Sequence, residues 1–166
     1  MTMASTSTGT AVVTLPTDTQ IHVTREFDAP RHLVYRAMTT PELVQRWWSG
    51  QRGAVTSAEI DLRVGGRWRY VMVANGGFEV AFHGEFREIV PNERIVNTEV
   101  YEGIPDGDDN PAVITYLFTE TDGRTTLTLV TEVDSKETRD MIMATGMEGG
   151  MQEAYDLLEE VAISLA

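Results

Sequence analysis

Cysteine is absent from the 166 residues, so disulfides, thiol nucleophiles and thiolate metal sites are excluded from the outset. Basic charge is scarce as well: thirteen Lys and Arg face twenty-six Asp and Glu, a net charge of -13, and Lys136 is the one lysine. Such a surface repels phosphate backbones and anionic lipid, so no nucleic-acid partner is expected. No apolar run approaches the ~20 residues of a membrane span, and no membrane insertion is expected. The opening MTMASTSTGTAVVTLPTDT has no basic segment ahead of an apolar one and does not read as a secretory leader, which makes the cytoplasm the expected location. His22, His32 and His83 are scattered without an HExxH pair, so neither a metal nor another cofactor is expected. No glycine-rich loop opens a helix after a strand, as nucleotide binding requires.

What is present is an ordinary hydrophobic share, 42%, in a length that suits one domain. Residues 1–17 are rich in Ser and Thr and read as a flexible tail, with Val12, Val13 and Leu15 as its anchor. Gln20–Phe27 alternates as a strand. The period then changes: Leu33, Val34, Ala37 and Met38 make a helical face after Pro30, and Thr40-Pro41 starts a second short helix that Gly50 stops after Trp47-Trp48. From Ala54 the period is two. Strands are expected at Ala54–Leu62, Arg67–Val73, Phe78–Ile89, Arg94–Tyr101, Val113–Thr121 and Arg124–Val133, with turns at Asn75-Gly76-Gly77, Pro91-Asn92 and Asp122-Gly123. Consecutive hairpins of this kind form an antiparallel meander. The last stretch, Ser135 to Ala166, carries apolar residues at Met147, Met151, Ala154, Leu158, Val161 and Leu165, which predicts one helix of roughly 25–30 residues opened by a capping box at Asp134 and Glu137.

Four segments carry a resemblance: FDAPRHLVYRAMTTPELVQRWW, DLRVGGRWRY, HGEFREIVPNERIV and ATGMEGGMQEAYDLL. In this order, from roughly residue 20 onward, they resemble the bacterial activator-of-heat-shock-protein-90-ATPase-like family of the START-like (SRPBCC) superfamily. The resemblance implies an α+β helix-grip (START-like/Bet v 1-like) fold in a single domain, residues 18–166. A curved antiparallel sheet with two short helices would wrap a long C-terminal helix around an apolar cavity. The eukaryotic co-chaperones that name the family carry a further N-terminal domain, which the short tail here does not supply, so chaperone activation is not the leading expectation.

Within that frame the cavity lining is expected from Trp47, Trp48, Trp68, Tyr70, Met72, Phe82, Phe86, Tyr116, Phe118, Met147, Met151 and Tyr155. Aromatic residues also build any core, and methionines adapt to many partners. Trp47 and Trp48 are adjacent at a helix end and cannot face the same way, so one is expected at the cavity mouth. Gly146, Gly149 and Gly150 weaken a helix interior; they mark either a close approach or a bend. His83 alternates away from Phe82 and Phe86 and belongs to the outer face. Glu79, Glu85 and Glu99 read as solvated strand carboxylates, and no catalytic constellation emerges. Asp61 and Arg63 beside Gly65-Gly66 pin a turn. The first functional expectation is a module that binds a small hydrophobic ligand, lipid- or polyketide-like. The second is a chaperone or other protein partner on the outer sheet face or the acidic loop at Asp106–Asp109. The third is a cyclase- or hydrolase-type enzyme, which needs an inward acid or base.

Overall fold

The computed structural model describes residues 9–105 and 107–166. In chain order the elements are β1 (Val12–Thr14), β2 (Gln20–Phe27), α1 (Arg31–Thr39), α2 (Pro41–Trp47), β3 (Gly53–Ile60), β4 (Arg67–Ala74), β5 (Glu79–Val90), β6 (Arg94–Tyr101), β7 (Ala112–Thr121), β8 (Arg124–Glu132), α3 (Lys136–Ala144) and α4 (Met147–Ser164). The strands form one antiparallel sheet in the order β1-β2-β8-β7-β6-β5-β4-β3, so β3 to β8 are a meander and β2 closes on its last strand. Tight turns drive the meander: Asn92, and the Asp122-Gly123 pair, take the positive φ that such turns require. Register slips between Val55 and Ser57 and between Phe86 and Glu88 mark bulges, which bend their strands and help the sheet curve around the helices.

Helices α1 and α2 close one end. Pro41 stands at the first position of α2, where its fixed φ suits a helix start and its missing N–H costs nothing. Gly50 follows at a φ of 57°, and a Cβ there would lie 3.0 Å from Glu153 Cβ and 3.2 Å from Ala154 N, so the chain turns directly against α4. The main core joins Val34, Ala37, Val44 and Trp47 of these helices to Tyr155, Leu158 and Ala162 of α4 and to the concave sheet face.

Two expectations change. The single terminal helix is two helices, broken where Thr145 ends α3 and Gly146 adopts a left-handed φ of 79°; a residue with a side chain resists that conformation. Gly149 and Gly150 instead give room to the Arg52 side chain, whose Nη2 lies 2.9 Å from where a Gly149 Cβ would stand. Both accounts of the glycines therefore hold, at different positions. The cap of α3 is Ser135, whose Oγ accepts the Thr138 N–H at 3.1 Å, one residue after the expected Asp134. At the other end, part of the stretch read as a tail is structured. Val12–Thr14 pairs with β2 across Val12–Thr24, Val13–Val23 and Thr14–His22, and the Gln152 side chain both donates to the Ala11 carbonyl and accepts its N–H. Backbone pairing at a sheet edge needs little apolar periodicity, so the sequence pointed to Val12 and Val13 as an anchor but not to a strand. Residues 1–8 of that expected tail lie outside the described residues.

A buried ionic cluster ties α4 to β2. Arg25, 1% exposed, shares the inner face with Ile21, Val23 and Phe27. Its Nη1 reaches Asp156 Oδ1 at 2.7 Å, its Nη2 reaches Glu159 Oε1 at 3.4 Å, and its Nε donates to the Glu26 carbonyl at 2.9 Å. Glu159 Oε2 in turn accepts the Asp28 N–H at 2.8 Å. With a donor for each acceptor, the helix is held in one register against the sheet.

Candidate functional site

Strand alternation decides which side chains face the helices. They are Trp68 and Tyr70 from β4, Phe82, Gly84 and Phe86 from β5, Ile95, Asn97 and Glu99 from β6, and Ile114, Tyr116 and Phe118 from β7. The register sets Trp68 opposite Gly84, Tyr70 opposite Phe82, Phe86 opposite Asn97, and Ile95 opposite Tyr116. Towards β2 and β8 this surface is filled, with Phe27, Phe118, Leu127 and Leu158 fully buried. Towards β4 and β6 it is not. Tyr70, Phe82, Glu99 and Tyr116 face inward yet remain only half-buried, as do Trp48 after α2, Met143 on α3 and Met151 on α4. Burial nevertheless raises the Tyr70 and Tyr116 hydroxyl pKa values above the usual tyrosine range. These side chains are only partly covered, so this end of the concave face is less closely packed than the other, and it is the candidate ligand hollow between sheet and helices.

Its aromatic walls are fixed by local contacts. The Trp68 indole lies over Gly84 and donates to the Thr98 carbonyl at 3.1 Å; a Cβ on residue 84 would stand 2.5 Å from the indole nitrogen. Trp47 and Trp48 diverge. Trp47 turns onto Tyr155, centroids 6.3 Å apart, and donates to the Ala37 carbonyl at 2.9 Å. Trp48 stands edge-on to Tyr70 and Phe82, at 5.4 and 5.5 Å.

Glu99 is the carboxylate of this hollow. Its partner across the sheet is Ala112 and, between the Phe82–Tyr101 and Phe86–Asn97 pairs, its other neighbour by register is Gly84, neither of which offers a side-chain donor. Among the described residues its carboxyl makes no hydrogen bond and no ion pair. Burial raises its pKa from 4.5 to about 7, because an isolated charge is poorly solvated there. Beyond the effect of their own burial, the negative charge of Glu99 raises the pKa values of Tyr70, Tyr116 and Tyr155, which places all three hydroxyls within its electrostatic reach. Two residues along β6, Asn97 is buried and its side-chain amide donates to the Tyr116 oxygen, while its equally buried Oδ1 has no partner.

The opposite face of the same strands carries a different, open hollow of about 1020 Å³, bordered by Arg67, Arg69, His83, Tyr101, Ile104 and Asp108. Arg69 grips Glu102 with two hydrogen bonds of 2.9 Å. His83 lies between two carboxylates, Nδ1 2.8 Å from Glu102 Oε2 and Nε2 2.6 Å from Asp108 Oδ1. Partial burial opposes the charged imidazole, but the two carboxylates outweigh it and raise the pKa. Glu102 is held down at about 2, chiefly by Arg69 and also by His83. This polar network fastens the β6–β7 loop to the sheet, over Val100. Among the described residues no group of three or more histidine and carboxylate side chains is placed to hold a metal.

A sequence model described as activator of Hsp90 ATPase homolog 1-like protein matches residues 28–162, most of the chain. The chain belongs to this family. Solved structures of other activator-of-Hsp90-ATPase-like and related bacterial proteins share the helix-grip fold. A Rhodobacter sphaeroides protein superposes with a TM-score of 0.84 at 23% identity, covering 94% of this chain and 99% of its own. A Mycobacterium smegmatis protein gives 0.81 at 25% identity with the same coverages. An AHSA1-like protein from Aeromonas hydrophila gives 0.62 at 19% identity, covering 87% and 93%. No curated protein matches the chain.

In this family member the residues expected to line a cavity separate into three groups. Trp48, Tyr70, Phe82, Tyr116 and Met151 are half-buried beside the hollow, with Tyr155 and Trp68 buried in its wall. Trp47, Phe86 and Phe118 are buried in the packed core around it. Met72 and Met147 are half-buried but do not pack on the main core; the Met72 methyl lies near the Gly53 backbone at the sheet edge. His83 is on the outer face, where alternation placed it. Glu79 and Glu85 are exposed. Glu99 is the correction: it points inward and supplies the acidic group that strand alternation did not reveal. The acidic loop folds back through Asp108, and Asp106 lies outside the described residues. No helix of the described chain is long and apolar enough to cross a membrane.

Proposed function

We propose that this chain binds a small, largely apolar ligand in the hollow between its concave sheet and the helices. The observation that carries the reading is the set of inward but incompletely covered side chains, Trp48, Tyr70, Phe82, Tyr116, Met143 and Met151. Apolar surface left open inside a protein is surface on which a ligand gains affinity, about 0.8 kcal/mol for each CH₂ it buries. Eight such groups supply only about 6 kcal/mol before the costs of association, so micromolar affinity requires a larger apolar body or polar contacts in addition. Flexible methionines suit ligands of more than one shape. The test is a melting-temperature screen against lipid- and polyketide-like compounds, backed by native mass spectrometry of the purified protein. Stabilisation by at least one class supports the reading. A flat screen together with no co-purifying or added ligand bound ends it.

Glu99 favours acid–base catalysis in the same hollow as a second reading, because a carboxyl with a pKa near 7 is suited to take or give a proton at neutral pH. Turnover of a bound ester or polyketone that Glu99→Gln abolishes without weakening binding would establish it; binding without turnover would leave the first reading alone.

A further inference from the structure

The chemistry around Glu99 specifies the ligand more narrowly, given that the hollow binds one at all. We propose that this ligand is a lipophilic amine, an apolar body with one protonated nitrogen that pairs with the Glu99 carboxylate against the rings of Tyr70, Tyr116 and Tyr155. One acceptor faces this space unpaired, the Glu99 carboxylate; Asn97, two residues along the same face of β6, is buried and its side chain is engaged with the Tyr116 hydroxyl. The other carboxylates that α4 turns towards the sheet, Asp156 and Glu159, are taken by Arg25. Arg25 is likewise committed, so an anionic head group meets a carboxylate here and no free cation. A hydroxyl offers one donor and no charge. An ammonium offers several donors and the missing positive charge, and aromatic faces attract organic cations.

The titratable groups facing Glu99 are Tyr70 from β4, Tyr116 from β7 and Tyr155 from α4, with the charge of Arg25 on β2 also felt by Tyr155. The facing residues of β5 are Phe82, Gly84 and Phe86, and Trp47 of α2 and Trp48 just after it complete the surroundings, none of which titrates. All three phenols stay neutral near pH 7, so the change in charge across neutrality belongs to Glu99. Its pKa of about 7 means that the empty site is part protonated and becomes anionic when a cation arrives.

The experiment compares decylamine, decanol and decanoate, three chains of equal length, by isothermal titration below their aggregation limits. At pH 8 the protein should bind decylamine at least about tenfold more tightly than decanol, the advantage of a desolvated charge-assisted contact, and decanoate most weakly. At pH 5.5, where Glu99 holds its proton, the preference for the amine should shrink towards parity with decanol. Glu99→Gln should erase that preference at pH 8 while binding decanol at least as well as the parent, and His83→Gln on the outer face should change nothing. Decanol or decanoate bound as tightly as the amine by the unmodified protein would overturn the proposal and leave apolar binding standing. No binding of any of the three would overturn both.

Discussion

Arg25 offers a sharp test of what holds α4 in place. Its guanidinium is fully buried, 4.9 Å from the Phe27 ring centre, and bridges Asp156 and Glu159. Arg25→Met keeps much of the apolar stem and removes the charge. Glu159, 2% exposed, would then hold a carboxylate supported only by the Asp28 N–H. Breaking a buried pair from one side costs about 3–5 kcal/mol. Asp156 softens the loss, since its side chain is 31% exposed and also accepts the Gly9 N–H at 2.8 Å, so we expect about 3 kcal/mol. At about 2–4 °C per kcal/mol for a chain of this size, the melting temperature should fall by roughly 6–12 °C. The double variant Arg25→Met/Glu159→Leu removes the orphaned charge and should recover most of that loss, because an apolar replacement of a whole buried ion pair is often neutral. Urea unfolding at pH 7, followed by tryptophan fluorescence, measures both. A single variant that loses under about 1 kcal/mol, or a double variant no better than the single, would refute the assignment of a structural ion cluster.

The remaining predictions concern ionisation and backbone strain. Because the folded state raises the Glu99 pKa from 4.5 to about 7, it holds that proton more tightly than the unfolded chain. Stability should therefore decline as pH rises from about 4.5 to 7 and then level off. Glu99→Gln should flatten this slope and gain up to about 3 kcal/mol at pH 8 while matching the parent at pH 4.5 in urea titrations; equal effects at both pH values would contradict it. His83 behaves oppositely: its pKa is raised, so its hold on the β6–β7 loop is complete below about pH 6.5 and is lost as pH rises through the folded value. Amide protection across residues 102–104 and 107–110, corrected for intrinsic exchange, should fall over that range, and His83→Gln should remove the pH dependence; an unchanged profile in the variant would disprove it. Gly146→Ala, at a φ of 79°, should cost about 1–2 kcal/mol by forcing a side chain into the left-handed region. A neutral effect in urea unfolding would mean that the α3–α4 junction relaxes freely.

Much of the architecture was legible because period and turn chemistry agreed: Asn92, Asp122-Gly123 and Pro41 each stand where the chain turns or a helix begins. The candidate site was less so, and β6 shows why. Its alternation offers two faces, Ile95, Asn97, Glu99 and Tyr101 against Val96, Thr98 and Val100. The valine-bearing face is the more apolar and resembles a core face. Val100 is indeed buried, but by the β6–β7 loop folding over the outer surface, where Gly107 approaches it closely. The polar face is therefore the one turned to the helices. Arg25 misleads in the same manner: its position in Gln20–Phe27 is a core position, and only the paired carboxylates of α4, more than a hundred residues away, make a charge tolerable there.

The claim that ligand binds inside the grip, and not in the outer hollow, is tested most directly by methyl and indole NMR during titration with decylamine. The Met143 and Met151 methyls and the Trp48 indole should shift together and saturate at one equivalent, with Ile104 and Val100 unmoved. Shifts confined to Ile104 and Val100, or none at all, would contradict it.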